Sequence, residues 1–281
     1  KSFHRAVLDA VCDDCTIFSA WSDLPWVVDG AAVRVSIVCF SAQQLACPAQ
    51  LDGFDVEVIY SDLSSGSTAV QRAARLVENS GVAFVGGQKD GPFEITRDEA
   101  ISMISLPTNP NGKRNSYVLR PWCNGRDLAQ RSSETWIVDF GDLPLEEAAY
   151  YEAPFALITA RVKPHRDVNR DPRRKRLWWQ HGRPGTNAKA ALGKSDYFFA
   201  TPLTSKHRWF VPLPKTRFPD NTIVLIAKSD WTLFGLLHSS AHIDWAVRVG
   251  NFLGVGNDPR YTPTTTFETF PFPWPPGQEN Q

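Results

Sequence analysis

The sequence predicts a mixed α/β chain that continues into an α+β domain. Three observations predict this. Apolar β-branched runs such as VRVSIVCF (Val33–Phe40) alternate with stretches of helical spacing. The 21 Pro and 10 Trp imply a loop-rich, β-rich surface with anchored aromatics. With 281 residues, 42% of them hydrophobic, the chain is globular and can bury one large core or two.

The elements follow in order. Residues 3–15 carry Phe3, Val7, Leu8 and Val11 at helical spacing. Ile17–Trp21 reads as a short strand and Val33–Phe40 as a longer one. Between them SDLPWVVDGAA reads as a Pro- and Gly-marked loop. Such a pair is expected to be antiparallel at a sheet edge. Asp55–Tyr60 is a further strand after the Asp52-Gly53 turn, and Thr68–Glu78 a helix. GVAFVGGQKDGPFEIT gives a strand, a Gly-rich turn and a second strand; Glu99–Leu106 is a short helix stopped by Pro107, and Asn109–Lys113 a turn. Tyr117–Arg120 and Trp136–Phe140 are strands, and Leu145–Val162 a helix interrupted near Pro154. Tyr197–Ala200, Trp209–Val211 and Ile223–Lys228 are strands, and Thr232–Val249 one long helix after Ser229 and Asp230. The Pro- and Thr-rich tail from Gly254 to Pro276 is expected to lie extended over the surface.

Composition excludes several classes. No window approaches the roughly 18 consecutive apolar residues of a membrane span, and no secretory signal opens the sequence. Five Cys, an odd count without a disulfide-scaffold pattern, suit a reducing cytosol. The chain starts at Lys1 without an initiator Met and reads as part of a longer protein.

Charge is where the sequence is most informative. Lys and Arg number 30, as do Asp and Glu, yet Arg161–Arg176 holds eight basic residues against two Asp. The remainder therefore carries 22 basic and 28 acidic residues. The run RVKPHRDVNRDPRRKR ends in Trp178 and Trp179. Clustered cations suit a phosphate backbone, and aromatic faces stack on bases. The competing reading is a solvated helix face.

The remaining motifs are weaker. Cys12 and Cys15 form a CxxC, with Cys39 and Cys47 beyond, but Cys39 lies in an apolar strand, where a buried structural Cys is expected. His238 and His242 stand four apart on one helix without a third ligand, and helix packing is the simpler reading. Gly86, Gly87 and Gly91 lack the GKS/T of a phosphate loop and read as a turn, while Gly250, Gly254 and Gly256 follow a helix, unlike a dinucleotide fingerprint. No GxSxG or HExxH occurs, and no nucleophile constellation. Trp21 and Trp26 flank the first loop and read either as hairpin core or as a platform for an unstacked base. In TSKHRWF, Thr204, Ser205, Lys206, His207 and Arg208 precede a strand, a placement that suits groove or phosphate contact as well as ordinary surface charge.

Seven segments then occur in order: IFSAWSDLPWVVDGAAVRVSIVCF, NSGVAFVGGQKDGPFEI, LPTNPNGKRNSYVLRPWCNGRDL, WIVDFGD, YFFATPLTSKHRWF, LHSSAHIDWAVRVG and VGNDPRYTPTTTFETFPFP. Over nearly its whole length the chain resembles the C-terminal part of DNA adenine-N6 methyltransferases, nearest the fused restriction–modification enzymes of the type IIL and IIG kinds. The resemblance implies a remnant of a methyltransferase domain over residues 1–75, ending in the edge hairpin of a class I methyltransferase sheet, and an α+β target recognition domain over residues 76–281. It implies double-stranded DNA as partner and Trp26, or else Trp21, as the ring that packs on a flipped adenine. Arg120, Asn124 and Arg126 of RPWCNGRDL join Lys163, Arg166, Arg170, Arg173, Arg174, Lys175, Arg176 and the 204–208 segment as expected DNA contacts. The family's S-adenosylmethionine loop and its Asn-Pro-Pro-aromatic motif do not occur, since Asn109-Pro110 is followed by Asn111-Gly112. The cofactor, S-adenosylmethionine, is therefore expected in an upstream methyltransferase part, with or without a nuclease joined to it, and not in this fragment, which should be inactive by itself. A stand-alone DNA-specificity subunit and an RNA-binding module are the alternatives.

Overall fold

The computed structural model describes residues 2–28, 30–43, 47–61, 63–65, 73–193, 195–253 and 258–278. The chain forms two compact units, one of Lys1–Ala74 with Asn251–Asp258 and one of Arg75–Gly250 with Pro259–Gln281. The architecture is mixed α+β, with several small sheets and short helices. No helix among the described residues is long and apolar enough to cross a membrane.

In the first unit helix α1 (Ser2–Asp14) leads into strand β1 (Thr16–Val28), which turns at Gly30 into β2 (Ala31–Ser41). The expected SDLPWVVDGAA loop is strand instead: Pro25 pairs with Arg34 and Trp26 with Val33. β1 meets its other neighbour, β3 (Ala49–Leu51), only at Ser19 and Ala20, so at Pro25 it is an edge strand, where a sheet accommodates proline. The Asp52-Gly53 turn, with both residues at positive φ, closes β3 onto β4 (Phe54–Val56), which is shorter and earlier than the strand expected over 55–60. The sheet order is β2-β1-β3-β4, and its small core holds Ile17, Ala20, Ala49 and Ile59. Of the helix expected over 68–78, residues 68–72 lie outside the described residues, and Val77–Asn79 form a single 3₁₀ turn.

The second unit holds two four-stranded sheets. Strands β5 (Ala83–Val85) and β6 (Glu94–Ile95) belong to different sheets, and β6 leads into helix α2 (Arg97–Ile104), capped reciprocally by Thr96 and Glu99. Strand β7 (Leu119–Cys123) pairs with β8 (Trp136–Val138), and β6 joins β8. Between β7 and β8 lies a short helix, α3 (Gly125–Ala129), where none was expected. Helices α4 (Leu145–Ala149) and α5 (Glu152–Asp167) replace the single helix expected over 145–162. The break falls at Tyr150–Tyr151 and not at Pro154, because Pro154 occupies the first turn of α5, where no N–H is needed. Helix α6 (Pro172–Arg176) and the equally unexpected α7 (Thr186–Leu192) follow.

Strands β9 (Tyr197–Pro202), β10 (Val211–Pro214), β11 (Phe218–Pro219) and β12 (Ile223–Ile226) complete the sheets, whose orders are β10-β9-β12-β5 and β11-β7-β8-β6. The long helix expected over 232–249 is two, α8 (Trp231–Leu237) and α9 (Ser240–Val249), because Ser239 accepts from the His242 amide and restarts the helix. The tail departs from expectation too. Tyr261, Phe267 and Phe270 are buried, and the Asn79 amide donates to the carbonyl of Phe270 at 2.8 Å, so the segment closes the core. Its Pro and Thr content hid the apolar residues that decide its place. The Gly86-Gly87 turn is glycine for a packing reason: a Cβ at Gly86 would stand 2.1 Å from the Asp220 carbonyl oxygen.

Two buried polar groups hold these layers. Arg166, 1% exposed, donates to the Lys89 carbonyl at 3.0 Å and the Gln180 carbonyl at 3.1 Å beside the Phe93 ring. His242 is fully buried; its Nδ1 donates to the Leu237 carbonyl at 3.0 Å, and its Nε2 accepts from the Tyr261 hydroxyl at 3.1 Å. Burial lowers the His242 imidazole to about 4 and raises the Tyr261 hydroxyl. His238 accepts from the Phe210 amide at 3.1 Å, so both histidines of the pair serve packing.

Two outcomes follow. Arg166→Met leaves the Gln180 carbonyl without its donor and the Lys89 carbonyl with only the Gly182 amide, and is expected to cost about 2 kcal/mol in denaturant unfolding, whereas Arg173→Ala on the surface should change stability by less than about 0.5 kcal/mol. For His242 the folded value lies below the unfolded 6.5, so its contribution is complete above pH 6.5 and is lost as pH falls toward 4. The loss should reach about 3 kcal/mol near the lower limit, and His242→Gln should flatten that part of the stability–pH curve. An identical slope in the variant would refute the buried neutral imidazole.

Candidate nucleic-acid interface

The basic run is not one charged helix face. It spans the end of α5, a turn and the five residues of α6, whose cap is the Asp171 carboxylate accepting from the Arg173 amide at 2.9 Å. Folding divides its cations into two sets. Arg161 pairs with Glu99, Lys163 with Asp167 at 2.8 Å, and Arg174 with Asp90 at 2.9 Å and Asp171 at 3.3 Å. Arg166 is in the core, which corrects its expected phosphate contact: at that position of α5 the side chain points inward beside Ile158 and Val162. Arg170, Arg173, Lys175 and Arg176 are exposed and, among the described residues, make no ion pair. Trp178 and Trp179 are buried in the larger core, and Trp179 Nε1 donates to the Leu143 carbonyl at 2.9 Å. They therefore cannot stack on bases, as the run's aromatic end suggested, because apolar area of that size is held by the core.

The 204–208 segment joins the antiparallel neighbours β9 and β10. Thr204 is half-buried; the exposed Lys206 and His207 and the half-buried Ser205 line a cleft of about 300 Å³ together with Arg208 and Pro259. Arg208 departs from the groove or phosphate contact expected of it. Its guanidinium donates to Thr201 Oγ1 at 2.9 Å and to the carbonyls of Pro202 and Pro259, and lies 5.1 Å from the Tyr261 ring centre. Burial lowers it to about 10. In RPWCNGRDL the Asn124 side chain caps α3 by accepting from the Arg126 and Asp127 amides, which occupies its oxygen, while Arg126 is exposed.

The hairpin of the first unit carries both tryptophans on one face. Trp21 and Trp26 are five residues apart, which on a regular strand puts them on opposite faces. A bulge between Trp21 and Leu24 inserts one extra residue in β1, so the cross-strand pairs Trp21–Ile37, Leu24–Val35 and Trp26–Val33 share a face. The bulge is pinned by side chains: the Ser22 amide and hydroxyl both donate to Asp52 at 2.7 Å, and Arg34 Nε donates to Asp23 at 2.6 Å. Trp21 is 38% exposed and Trp26 51%, so neither sits in a hairpin core.

A group of cations that no sequence motif marks surrounds the end of β8. Asp139, buried, lies 2.7 Å from Lys189 Nζ of α7, 3.4 Å from Arg120 Nε of β7 and 3.8 Å from His181 Nδ1. Burial by itself would raise the Asp139 carboxyl, but the Lys189 ammonium and the Arg120 guanidinium hold it below the usual carboxylate range. Burial lowers His181, whose Nε2 donates to the Val138 carbonyl at 2.8 Å. Lys189 and Arg120 line a cleft together with Lys215 and Arg217. Arg120 and Lys189 lie far from each other and from the Lys215-Thr216-Arg217 turn in sequence, so no local pattern gathers the four. Among the described residues no group of three or more His, Cys, Asp or Glu converges as metal ligands, and Cys15, Cys39, Cys47 and Cys123 are free thiols.

No protein of curated function matches the sequence. In fold the chain is similar to the type IIL restriction-modification enzyme MmeI, solved in complex with DNA, with a TM-score of 0.71 at 17% identity. The match covers 93% of this chain and 36% of that one, so the chain spans about a third of the length of its structural relative. The family model described as "MmeI, target recognition domain" matches residues 90–274. The chain belongs to the MmeI target recognition domain family.

Proposed function

We propose that this chain is the sequence-specific DNA-recognition part of a type IIL restriction–modification enzyme. The first unit is read as the end of its methyltransferase domain and the second as its target recognition domain. The parent would transfer a methyl group from S-adenosylmethionine to adenine N6. The cofactor and the reacting groups would belong to the upstream part, since this sequence lacks both motifs. The observation that carries the reading is a surface one. Arg170, Arg173, Lys175 and Arg176 stand exposed, within the matched region, on a chain with no net charge. Cations concentrated on one surface of a neutral body release counterions from DNA without binding anions everywhere. Lys206, His207 and Arg126 are the exposed residues proposed to reach the grooves, because Arg and Lys pair with guanine edges. Trp26, and beside it Trp21, would stack on the adenine once it leaves the duplex, since adenine N6 is out of reach inside the helix.

Two measurements test this. In the full-length protein, Arg173→Ala with Arg176→Ala should weaken binding to all duplex sequences alike and lower the slope of log affinity against log salt by about 0.9 per phosphate no longer neutralised. An unchanged slope returns the run to a solvated surface. Trp26→Ala should leave the melting temperature nearly unchanged, because the ring is half-exposed, and should slow methylation. A 2-aminopurine at the target position should lose its fluorescence increase, the return from stacking being roughly 1–3 kcal/mol per base. A destabilised variant that flips and methylates normally would remove Trp26 from this role.

A further inference from the structure

We infer that the cleft formed by Arg120, Lys189, Lys215 and Arg217 holds a backbone phosphate of the bound duplex. The inference rests on the DNA-recognition reading and extends it from the contiguous basic run to residues from separate elements. Arg120 comes from β7, Lys189 from α7, and Lys215 and Arg217 from the turn between β10 and β11. All four line one cleft, and no carboxylate lines it among the described residues. Two acids lie close to the lining: Asp139, whose side chain is 2% exposed and is shared by Lys189 and Arg120, and Asp220, which follows Pro219 and is bridged to Gly87. Asp196, 3.8 Å from Lys215 and 94% exposed, forms a solvated pair that salt screens.

Neutralising Asp139 does not account for the group. Lys189 and Arg120 already meet that carboxylate, and Lys215 and Arg217 do not touch it. Arg217 instead reaches the buried Cys123 thiol, which burial raises to about 11. The floor of the cleft is Gly86, Gly87, Phe218 and Pro219, and Lys189 Nζ lies 4.7 Å from the Phe218 ring centre. The lining exposed in the cleft is mainly apolar, and an apolar wall beside cationic side chains strengthens their field. A compact anion fits this arrangement. A base edge does not, because a guanine edge takes one bidentate partner and not several cationic side chains around one cleft.

The experiment measures duplex affinity against salt in the full-length protein, for a cognate and an unrelated duplex. Lys215→Ala with Arg217→Ala should lower the log–log slope by about 0.9 for each phosphate no longer held and weaken binding roughly eightfold per phosphate at about 0.1 M salt, equally for both duplexes. Lys215→Glu, which leaves Cys123 and Asp139 untouched, should weaken binding to both duplexes even if the double variant folds poorly. If Arg173→Ala with Arg176→Ala lowers the slope while Lys215→Glu leaves affinity and slope unaltered, the cleft takes no phosphate and the recognition reading stands. A weakening confined to the cognate duplex would mean a base contact and overturn the phosphate assignment. A wild-type protein that binds no duplex overturns the recognition reading and this inference with it.

Discussion

A buried carboxylate organises the second unit. Asp139 stands just past β8, where its oxygen accepts from the Gly141 amide at 3.0 Å, and it draws Lys189 of α7 and Arg120 of β7 to one point. A lone ion there would be untenable, since an unpaired buried charge costs several kcal/mol even after relaxation (about 3–5 kcal/mol when a partner is removed). The folded arrangement must therefore bring α7 against the sheet end with its lysine in place. The same constraint leaves two cations half-open beside the Lys215–Arg217 turn. A structural necessity and a charged cleft thus arise from one interaction.

The buried arginines show how folding reassigns charge. Arg166 and Arg208 both lie among other basic residues in sequence, yet both are committed to backbone carbonyls inside the second unit. Five donors in a rigid fork let a guanidinium satisfy several carbonyls at once, which an ammonium does poorly. The surface that remains for an anionic partner is consequently smaller than the run of Arg161–Arg176 suggests. It is also more specific in place: Arg170, Arg173, Lys175 and Arg176.

The hairpin of the first unit illustrates a different constraint. Its two tryptophans share a face only through one inserted residue, and that insertion is held by Asp52 from the β3–β4 turn and by Arg34 from β2. Side chains from neighbouring strands thereby set which way the rings point. A strand pattern read at period two, without knowledge of the bulge, places one ring on each side.

Much of this was legible in the sequence, for local reasons. Strands β5, β7, β8, β9 and β12 follow from β-branched and aromatic runs between turn residues, and the body of α2 from the helical stretch before Pro107, with its start displaced to Arg97. The ordered segments carried the family resemblance, and the concentration of positive charge is a property of composition. What the sequence determined was thus each element's period, its caps and the local excess of charge. Tertiary structure decided the rest because burial is a property of the whole packing. It turned Arg166 inward while Arg170 stayed out, and it closed the Pro- and Thr-rich tail over a core through Tyr261 and Phe267. It also split 232–249 at a serine cap and gathered Arg120, Lys189, Lys215 and Arg217 around one cleft. Residues so far apart in the chain meet only when the sheets that carry them pack.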